Sequence, residues 1–186
     1  LDRLRFLNPC ALADRRAQWI ETTYQNDRRH LEMHFRTTED DEWMPLFTAE
    51  VSSFTNPTLR SQSVVEEHYP EAFDGPRLYA YCKRLGLEYG PQFCGVQGGS
   101  RNDGRASMDV ELKTASDSES YGIHPAILDA CFHGMIAADA DFDHTLGGLY
   151  LPAEIKRLRF FHPVGKQVKC HVRILSKTSQ RMIADI

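Results

Sequence analysis

The sequence lacks an apolar run of the length that a membrane span requires, and it lacks an excess of positive charge. Its 22 basic and 26 acidic side chains give a formal net charge of −4, which is not the basic footprint of a nucleic-acid-binding domain. No signal peptide is visible at its start. We therefore predict a protein that binds neither nucleic acid nor membrane.

The spacing of the cysteines gives neither a disulfide framework nor a metal site. The five cysteines are odd in number, lie far apart and form no Cys-x-x-Cys pair. Reduced thiols are the default for such a pattern, and they favour a cytoplasmic location. His30 and His34 lie four residues apart in a predicted strand, which supplies too few ligands for a metal ion. We expect no metal.

Hydrophobic periodicity predicts a series of short strands and a helix. The length of 186 residues and the hydrophobic content of 41% suit one ordinary domain, or two small halves that share a core. Turn signals predict a long connector over residues 52–76 and a hairpin loop from Gly98 to Gly104. A helix is predicted at 77–85, and Gly86 is its expected stop. Strands are predicted at 16–24, 31–35, 43–51, 93–97, 106–112, 155–161, 168–175 and 182–186.

The stretch from Ser120 to Ile136 predicts a second helix, apolar on nearly every side. Pro125 suits its first helical position. Small residues share one face and would let a sheet approach closely; they are Ala126, Ala130, Gly134 and Ala137. Large apolar residues share another face; they are Ile127, Leu128, Cys131, Phe132, Met135 and Ile136. We therefore expect a buried helix with no face left for water.

Asp129 and His133 lie one helical turn apart at the border of these faces. Acidic side chains are rarely buried without a partner, and no Lys or Arg occurs between Lys113 and Lys156. Burial without a cation raises the pKa of a carboxyl group, so this aspartate could keep a proton and act as a general acid. Alternatively, it is an acid of the first helical turn, favoured by the helix dipole. Both interpretations are open.

Three sequence blocks resemble the dehydratase domains of modular polyketide synthases. The run His124-Pro125-Ala126-Ile127-Leu128-Asp129, with His133 four residues later, resembles the motif His-Pro-x-x-Leu-Asp-x-x-x-Gln/His. Residues 86–93 read Gly-Leu-Glu-Tyr-Gly-Pro-Gln-Phe and resemble the block Gly-Leu-x-Tyr-Gly-Pro-x-Phe. Tyr150-Leu151-Pro152, followed by Ile155 and Leu158, resembles the Leu-Pro block after the helix. The blocks stand in the family's order, and the resemblance runs from about Trp19 to the end of the chain.

The resemblance implies an α+β fold, the double hotdog, in which two antiparallel sheets each wrap round a central helix and the active site lies between the halves. Residues 1–53 would be the last strands of the N-terminal hotdog, 54–76 a linker and 77–186 the C-terminal hotdog. The family's first-half motif, His-x-x-x-Gly-x-x-x-x-Pro, matches none of the eight histidines. We therefore expect an incomplete first half and a chain that is a piece of a longer protein.

The resemblance also implies a reaction: removal of water from a β-hydroxyacyl thioester to give an α,β-enoyl thioester. The substrate would be attached to the phosphopantetheine of an acyl carrier protein, and no cofactor is needed. Other synthase domains and a second copy in a homodimer are further implied partners. Asp129 would be the general acid, His133 a supporting residue, and the base the histidine of the absent motif. The implied substrate-binding residues are Tyr89, Gly90, Pro91, Phe93, His124, Pro125, Leu151 and Pro152.

Two alternative functions are open. The absent base motif favours a non-catalytic structural or acyl-binding hotdog. A hotdog thioesterase also uses a carboxylate on a helix, although the Tyr-Gly-Pro and Leu-Pro blocks argue against it. For the 186 residues alone we expect no dehydratase activity.

Overall fold

The observed secondary structure consists mainly of short strands. We describe it from a computed structural model, which describes residues 1–10, 18–52, 68–113, 121–143 and 148–186. The strands in these residues are β1 (Asp2–Phe6), β2 (Trp19–Gln25), β3 (His30–Arg36), β4 (Met44–Glu50), β5 (Glu71–Asp74), β6 (Val96–Asn102), β7 (Arg105–Glu111), β8 (Glu154–Arg157), β9 (Gln167–Lys177) and β10 (Met182–Asp185). The helices are α1 (Gly75–Arg84) and α2 (Pro125–Ala138), and a single 3₁₀ turn spans Pro91–Phe93.

The first sheet is antiparallel, with strand order β2-β3-β4-β1-β8. Strands β2 and β3 form a hairpin, in which Gln25 pairs with His30. The predicted strand at 155–161 does not join the second sheet with the strands that follow it, because β8 pairs with β1 and places Ile155 opposite Leu4. Alternation shows which side chains of a strand share a face, but it does not show which sheet the strand joins.

The second sheet is also antiparallel, with strand order β10-β9-β7-β6-β5. Strand β5 and the start of α1 occupy residues 71–76 of the predicted linker, so this sheet begins earlier in the sequence than predicted. The predicted loop from Gly98 to Gly104 is also wrong, since β6 continues to Asn102 and turns into β7 through Asp103 and Gly104 alone. Gly104 has a φ of +82°, which glycine adopts without a steric penalty.

Helix α2 packs its small face against the second sheet, where it contacts β6, β7 and β9. The four small residues at positions 126, 130, 134 and 137 are all buried, which confirms the predicted face. The closest approach is at Gly134, where a Cβ atom would lie 2.5 Å from Val172 Cγ2 and 2.7 Å from Met108 Cε. The helix can lie this close to the sheet because Gly134 has no side chain.

The other side of α2 is less enclosed than the sequence predicts. Ile127 and Cys131 are buried, whereas Leu128, Phe132 and Asp129 are partly exposed. The expectation that no face is left for water is therefore wrong. An apolar composition shows that a face is suited to burial, but it does not identify the element that covers it.

The chain divides into two compact units. One comprises Leu1–Gln62 and Leu151–Arg159 and holds the first sheet; the other comprises Ser63–Tyr150 and Phe160–Ile186 and holds both helices and the second sheet. The predicted domain boundary after residue 53 lies outside the described residues and stays a prediction. Within the described ranges, no helix has both the length and the apolar character of a membrane span.

Candidate functional site

The beginning of α2 is shaped by the His-Pro pair of the sequence motif. Pro125 lies in the first helical turn, as predicted. His124 is the N-cap residue, and its Nδ1 accepts a hydrogen bond from the backbone N–H of Ala126 at 3.2 Å. The ring of Tyr121 lies edge-on to the His124 ring, with centroids 5.2 Å apart. Both motif residues thus position the helix, and their contribution to substrate binding stays a prediction.

Asp129 lies beyond the first turn of α2. That turn contains no acidic residue, so the interpretation of Asp129 as a first-turn acid is wrong, because the dipole acts on a side chain mainly within that turn. The predicted burial is not found either, since 39% of the Asp129 side chain is exposed. The helix therefore presents a carboxyl group that a bound molecule can reach.

His133 contacts Asp129 from the next helical turn, as their spacing predicts. Its Nε2 lies 3.2 Å from Oδ2 of Asp129. The N–H direction does not meet that oxygen well enough for a hydrogen bond, and in the described part of the chain Nε2 has no hydrogen-bond partner. Only 2% of the His133 side chain is exposed, and its role as a supporting residue stays a prediction.

Two tyrosines enclose the imidazole of His133. The Tyr89 ring is tilted against it with centroids 4.2 Å apart, and the Tyr79 ring meets it edge-on at 5.6 Å. The hydroxyl of Tyr79 lies 3.3 Å from His133 Nδ1 and accepts a hydrogen bond from the backbone N–H of Val96 at 3.0 Å. These contacts on several sides hold the imidazole in one orientation.

The surroundings of these two tyrosines keep both hydroxyl groups protonated. Burial is the largest cause that raises the pKa of Tyr79 and of Tyr89, and the nearby charge of Asp129 raises the pKa of both further. For Tyr79 these effects outweigh the hydrogen bond from Val96, which lowers the pKa. Each phenol therefore offers a hydrogen at neutral pH.

The Tyr-Gly-Pro-Gln-Phe block at residues 89–93 forms a turn beside α2. The 3₁₀ turn Pro91–Phe93 follows Gly90, and the Phe93 N–H donates to the Gly90 carbonyl at 2.9 Å. The predicted strand start at residue 93 is therefore wrong, since Phe93 ends the turn and β6 begins at Val96. Proline suits the first position of such a helical turn. The block places Tyr89 beside His133, while Gly90, Pro91 and Phe93 are exposed.

Leu151 and Pro152 belong to the other compact unit, where they precede β8. Both are exposed, Leu151 to 67%. Their role as substrate-binding residues stays a prediction. Among the described residues, no group of three or more His, Cys, Asp and Glu side chains is placed to hold a metal ion.

Sequence reasoning missed Tyr79. It lies next to Leu78 at the edge of the apolar stripe of α1, and a partly buried tyrosine hydroxyl usually has a hydrogen-bond partner. That signal predicts a polar contact but not its identity. The partner, His133, is 54 residues away in the sequence, and only the packing of α1 beside α2 brings the two together.

Comparison with known proteins identifies the family. Residues 57–186 match the family model described as the polyketide synthase dehydratase N-terminal domain. The chain belongs to the polyketide synthase dehydratase family. The matched residues include both helices and the whole second sheet.

Similar proteins support the same family. The phthioceranic/hydroxyphthioceranic acid synthase of Mycobacterium bovis is 30% identical over 142 residues, which are 74% of this chain and only 7% of that synthase. Crystal structures of two inactive mutants of the CurK dehydratase, one histidine-to-phenylalanine and one aspartate-to-asparagine, have TM-scores of 0.77 and 0.78. Their identities are 19% and 20%, and the match covers 98% of this chain and 71% of each of those chains. This likeness confirms the predicted hotdog fold class.

Proposed function

We propose that this chain supplies the general acid of a polyketide synthase dehydratase. The observation that carries the proposal is the half-exposed carboxyl group of Asp129, held on α2 against the buried His133 in a chain of this family. General acids must reach the group that they protonate, and a helix holds such a carboxyl group in a defined place.

The proposed substrate is a β-hydroxyacyl thioester on the phosphopantetheine of an acyl carrier protein. A base takes the α-proton, the electron pair of that C–H bond forms the new double bond, and the bond from Cβ to oxygen breaks. Asp129 donates its proton to the departing hydroxyl group, which leaves as water. Asp129 ends as a carboxylate and the base ends protonated, so Asp129 must regain a proton before the next turnover. No cofactor takes part.

We assign the base to no residue of this chain. None of its eight histidines stands in the family's first-half motif. His133 is buried and lies beside Asp129, so it cannot reach the substrate from the side opposite Asp129, where the base is needed. We therefore propose that the 186 residues alone do not catalyse dehydration, and we call these residues together with a first-half motif the complete dehydratase domain.

The CurK mutants support this choice of residue types. The two structures are described as inactive mutants, one with a histidine replaced by phenylalanine and one with an aspartate replaced by asparagine. In this chain Asp129 is the aspartate that stands in the family's helix motif. Its position one turn before His133 agrees with the role of acid.

The remaining assignments complete the proposal. His133 orients the Asp129 carboxyl group, and the substrate contacts are those already named, from Tyr89 and the turn that follows it, from the start of α2, and from Leu151 and Pro152. The partners are the acyl carrier protein and the other domains of a multidomain synthase in the cytoplasm, with a second copy as a homodimer partner. The large size of the relatives, of which this chain spans about 7%, supports the multidomain setting.

Replacing Asp129 with Asn in the complete dehydratase domain tests the assignment. Asn has nearly the same shape but cannot donate an acid proton, so we expect a rate loss of about 10²–10⁴. Asp109→Asn is the matched control, because Asp109 is an exposed residue of β7 paired with Lys169 at 2.9 Å. If Asp129→Asn keeps more than about half of the wild-type rate, Asp129 is not the acid.

β-Hydroxybutyryl and crotonyl thioesters separate this proposal from the two alternatives. Interconversion of the two thioesters by the complete domain supports a dehydratase. Release of free thiol without interconversion would identify a thioesterase. Binding without either reaction would identify a non-catalytic acyl-binding protein.

A further inference from the structure

The hydroxyl group of Tyr79 lies among three polar groups. It accepts a hydrogen bond from the backbone N–H of Val96 at 3.0 Å. Its single hydrogen then has two acceptors at equal distance, the Phe93 carbonyl at 3.3 Å and Nδ1 of His133 at 3.3 Å. A phenol donates one hydrogen bond, so it can serve only one acceptor at a time.

The acceptor to which the Tyr79 hydroxyl donates determines which ring nitrogen of His133 carries hydrogen. When Tyr79 donates to Nδ1, the hydrogen of the neutral imidazole sits on Nε2, which is 3.2 Å from Oδ2 of Asp129. When Tyr79 donates to the Phe93 carbonyl, Nδ1–H can donate back to the phenol oxygen. Nε2 is then a bare acceptor facing Asp129.

The two tautomers place the acid proton of Asp129 differently. When Nε2 carries hydrogen 3.2 Å from Oδ2, a second hydrogen between these two atoms is excluded, so the acid proton sits on Oδ1, the other oxygen of this half-exposed carboxyl group. Against a bare Nε2, the acid proton is drawn to Oδ2 and held by His133. Only the first arrangement leaves the proton available to a bound molecule.

We propose that Tyr79 is a positioning residue that holds His133 as the Nε2–H tautomer and thereby keeps the acid proton of Asp129 on Oδ1. The proposal rests on the proposed role of Asp129 as the acid. Tyr79 touches neither the substrate nor the reacting atoms in this scheme. It acts through His133, and its own proton does not leave.

Two features of the structure favour the donor direction toward His133. A bare Nε2 lone pair 3.2 Å from the lone pairs of Oδ2 would be repelled, whereas an Nε2–H group is attracted to that oxygen. The Phe93 residue is exposed, so its carbonyl can be hydrated, whereas the His133 ring is buried and depends on protein partners.

The first test measures the tautomer directly in the complete dehydratase domain. Nitrogen NMR shifts of His133 should show hydrogen on Nε2 in the native protein, and Tyr79→Phe should shift the population toward Nδ1–H. A native Nδ1–H tautomer overturns the proposal, and this measurement needs no variant to fold. An unchanged tautomer in folded Tyr79→Phe also overturns it. Neither readout depends on activity, so a failure of the proposed acid role would show separately in Asp129→Asn.

The second test uses kinetics. Tyr79→Phe should lower kcat about tenfold and leave KM nearly unchanged, because proton placement matters in the transition state rather than in binding. Tyr81→Phe is the matched control on the same helix, because it removes a buried phenol hydroxyl that donates instead to the Asp141 carbonyl at 3.1 Å. In a His133→Ala background, Tyr79→Phe should change kcat by less than about twofold. An equal loss in both backgrounds overturns the proposal.

Discussion

At the residue scale, Asp129 and His133 differ in exposure, and this difference separates their proposed roles. The carboxyl group exposes 39% of its side chain and the imidazole only 2%. In the proposed reaction Asp129 therefore meets the substrate, whereas His133 acts only through Asp129. The loss of a supporting residue removes orientation, while the loss of the acid removes the proton itself.

His133→Ala in the complete domain should therefore lower the rate less than Asp129→Asn does. We expect about tenfold for His133→Ala against about 10²–10⁴ for Asp129→Asn, measured as kcat on one β-hydroxyacyl thioester. His162→Ala, at an exposed histidine, is the control and should leave kcat unchanged. An equal or larger loss for His133→Ala would reverse the proposed hierarchy.

Gly134→Ala should destabilise the protein, because the new methyl group would meet Val172 Cγ2 at 2.5 Å and Met108 Cε at 2.7 Å. Met108 can move, but Val172 is stiff, so we expect a decrease of about 1–3 kcal/mol in the free energy of unfolding. Gly165→Ala is the control, since nothing lies within 4 Å of a Cβ there. Urea unfolding measures both; equal midpoints would show that α2 can shift away from the sheet.

These residues also show how far sequence reasoning extends at this scale. The contact of Asp129 with His133 follows from helical spacing, because residues four apart meet on any helix. The exposure of Asp129 does not follow from helical spacing, since it depends on which residues cover that side of α2. The contact of Tyr79 with His133 cannot be predicted from spacing either, because it depends on how α1 and α2, which are distant in the sequence, pack against each other.

At the element scale, polar contacts close both ends of α2. His124 caps the first turn. At the other end, the Arg101 side chain is 4% exposed and donates to the Ala137 carbonyl at 2.6 Å and the Asp139 carbonyl at 2.7 Å, while it also pairs with Glu71. The last carbonyls of a helix lack partners within it, and a cation suits the negative end of its dipole. Arg101 thus ties α2 to β5 and β6.

Arg101→Met should lower the free energy of unfolding by about 2–3 kcal/mol, because it keeps the apolar stem but leaves two buried carbonyls without their donor. It also removes one ion pair of Glu71, which keeps its pair with Arg77. The control is Arg173→Met, since Arg173 pairs with Asp185 at 2.9 Å at an exposed site. We expect the control to change stability by less than about 0.5 kcal/mol. Chemical denaturation with far-UV circular dichroism measures both. Equal stabilities would mean that water satisfies the end of α2.

Most strands and both helices follow from local patterns, but their partners do not. Alternation and turn signals locate β2, β3, β7 and β9 to within a few residues. Residues 98–102 look like a loop because they are glycine-rich and polar, yet Ser100 and Arg101 are buried in β6. In those positions tertiary contacts override local propensity. The sheet that β8 joins could not be predicted for a different reason: no local sequence pattern shows which of the two sheets a strand belongs to.

At the scale of the whole molecule, the family is clearer than the complete reaction. The family model covers residues 57–186, and the CurK dehydratase structures match 98% of this chain. The helix that carries Asp129 lies within that match. The histidine motif that would carry the base does not occur in these 186 residues. One chain thus shows the fold of a dehydratase while containing one of its two proposed catalytic groups.

The final prediction is that the 186-residue chain alone gives no measurable dehydration. The proposed elimination needs a base and an acid on opposite sides of the substrate carbon chain, and His133 cannot serve as the base because it is buried beside Asp129. Enoyl thioester formation from β-hydroxybutyryl thioester is followed by mass spectrometry, with the chain carrying Asp129→Asn as the blank and circular dichroism as the check of folding. The complete dehydratase domain, assayed in parallel, should turn over. Product from the folded chain above the blank would mean that the base lies within these residues, and the division of the reaction proposed above would then be wrong.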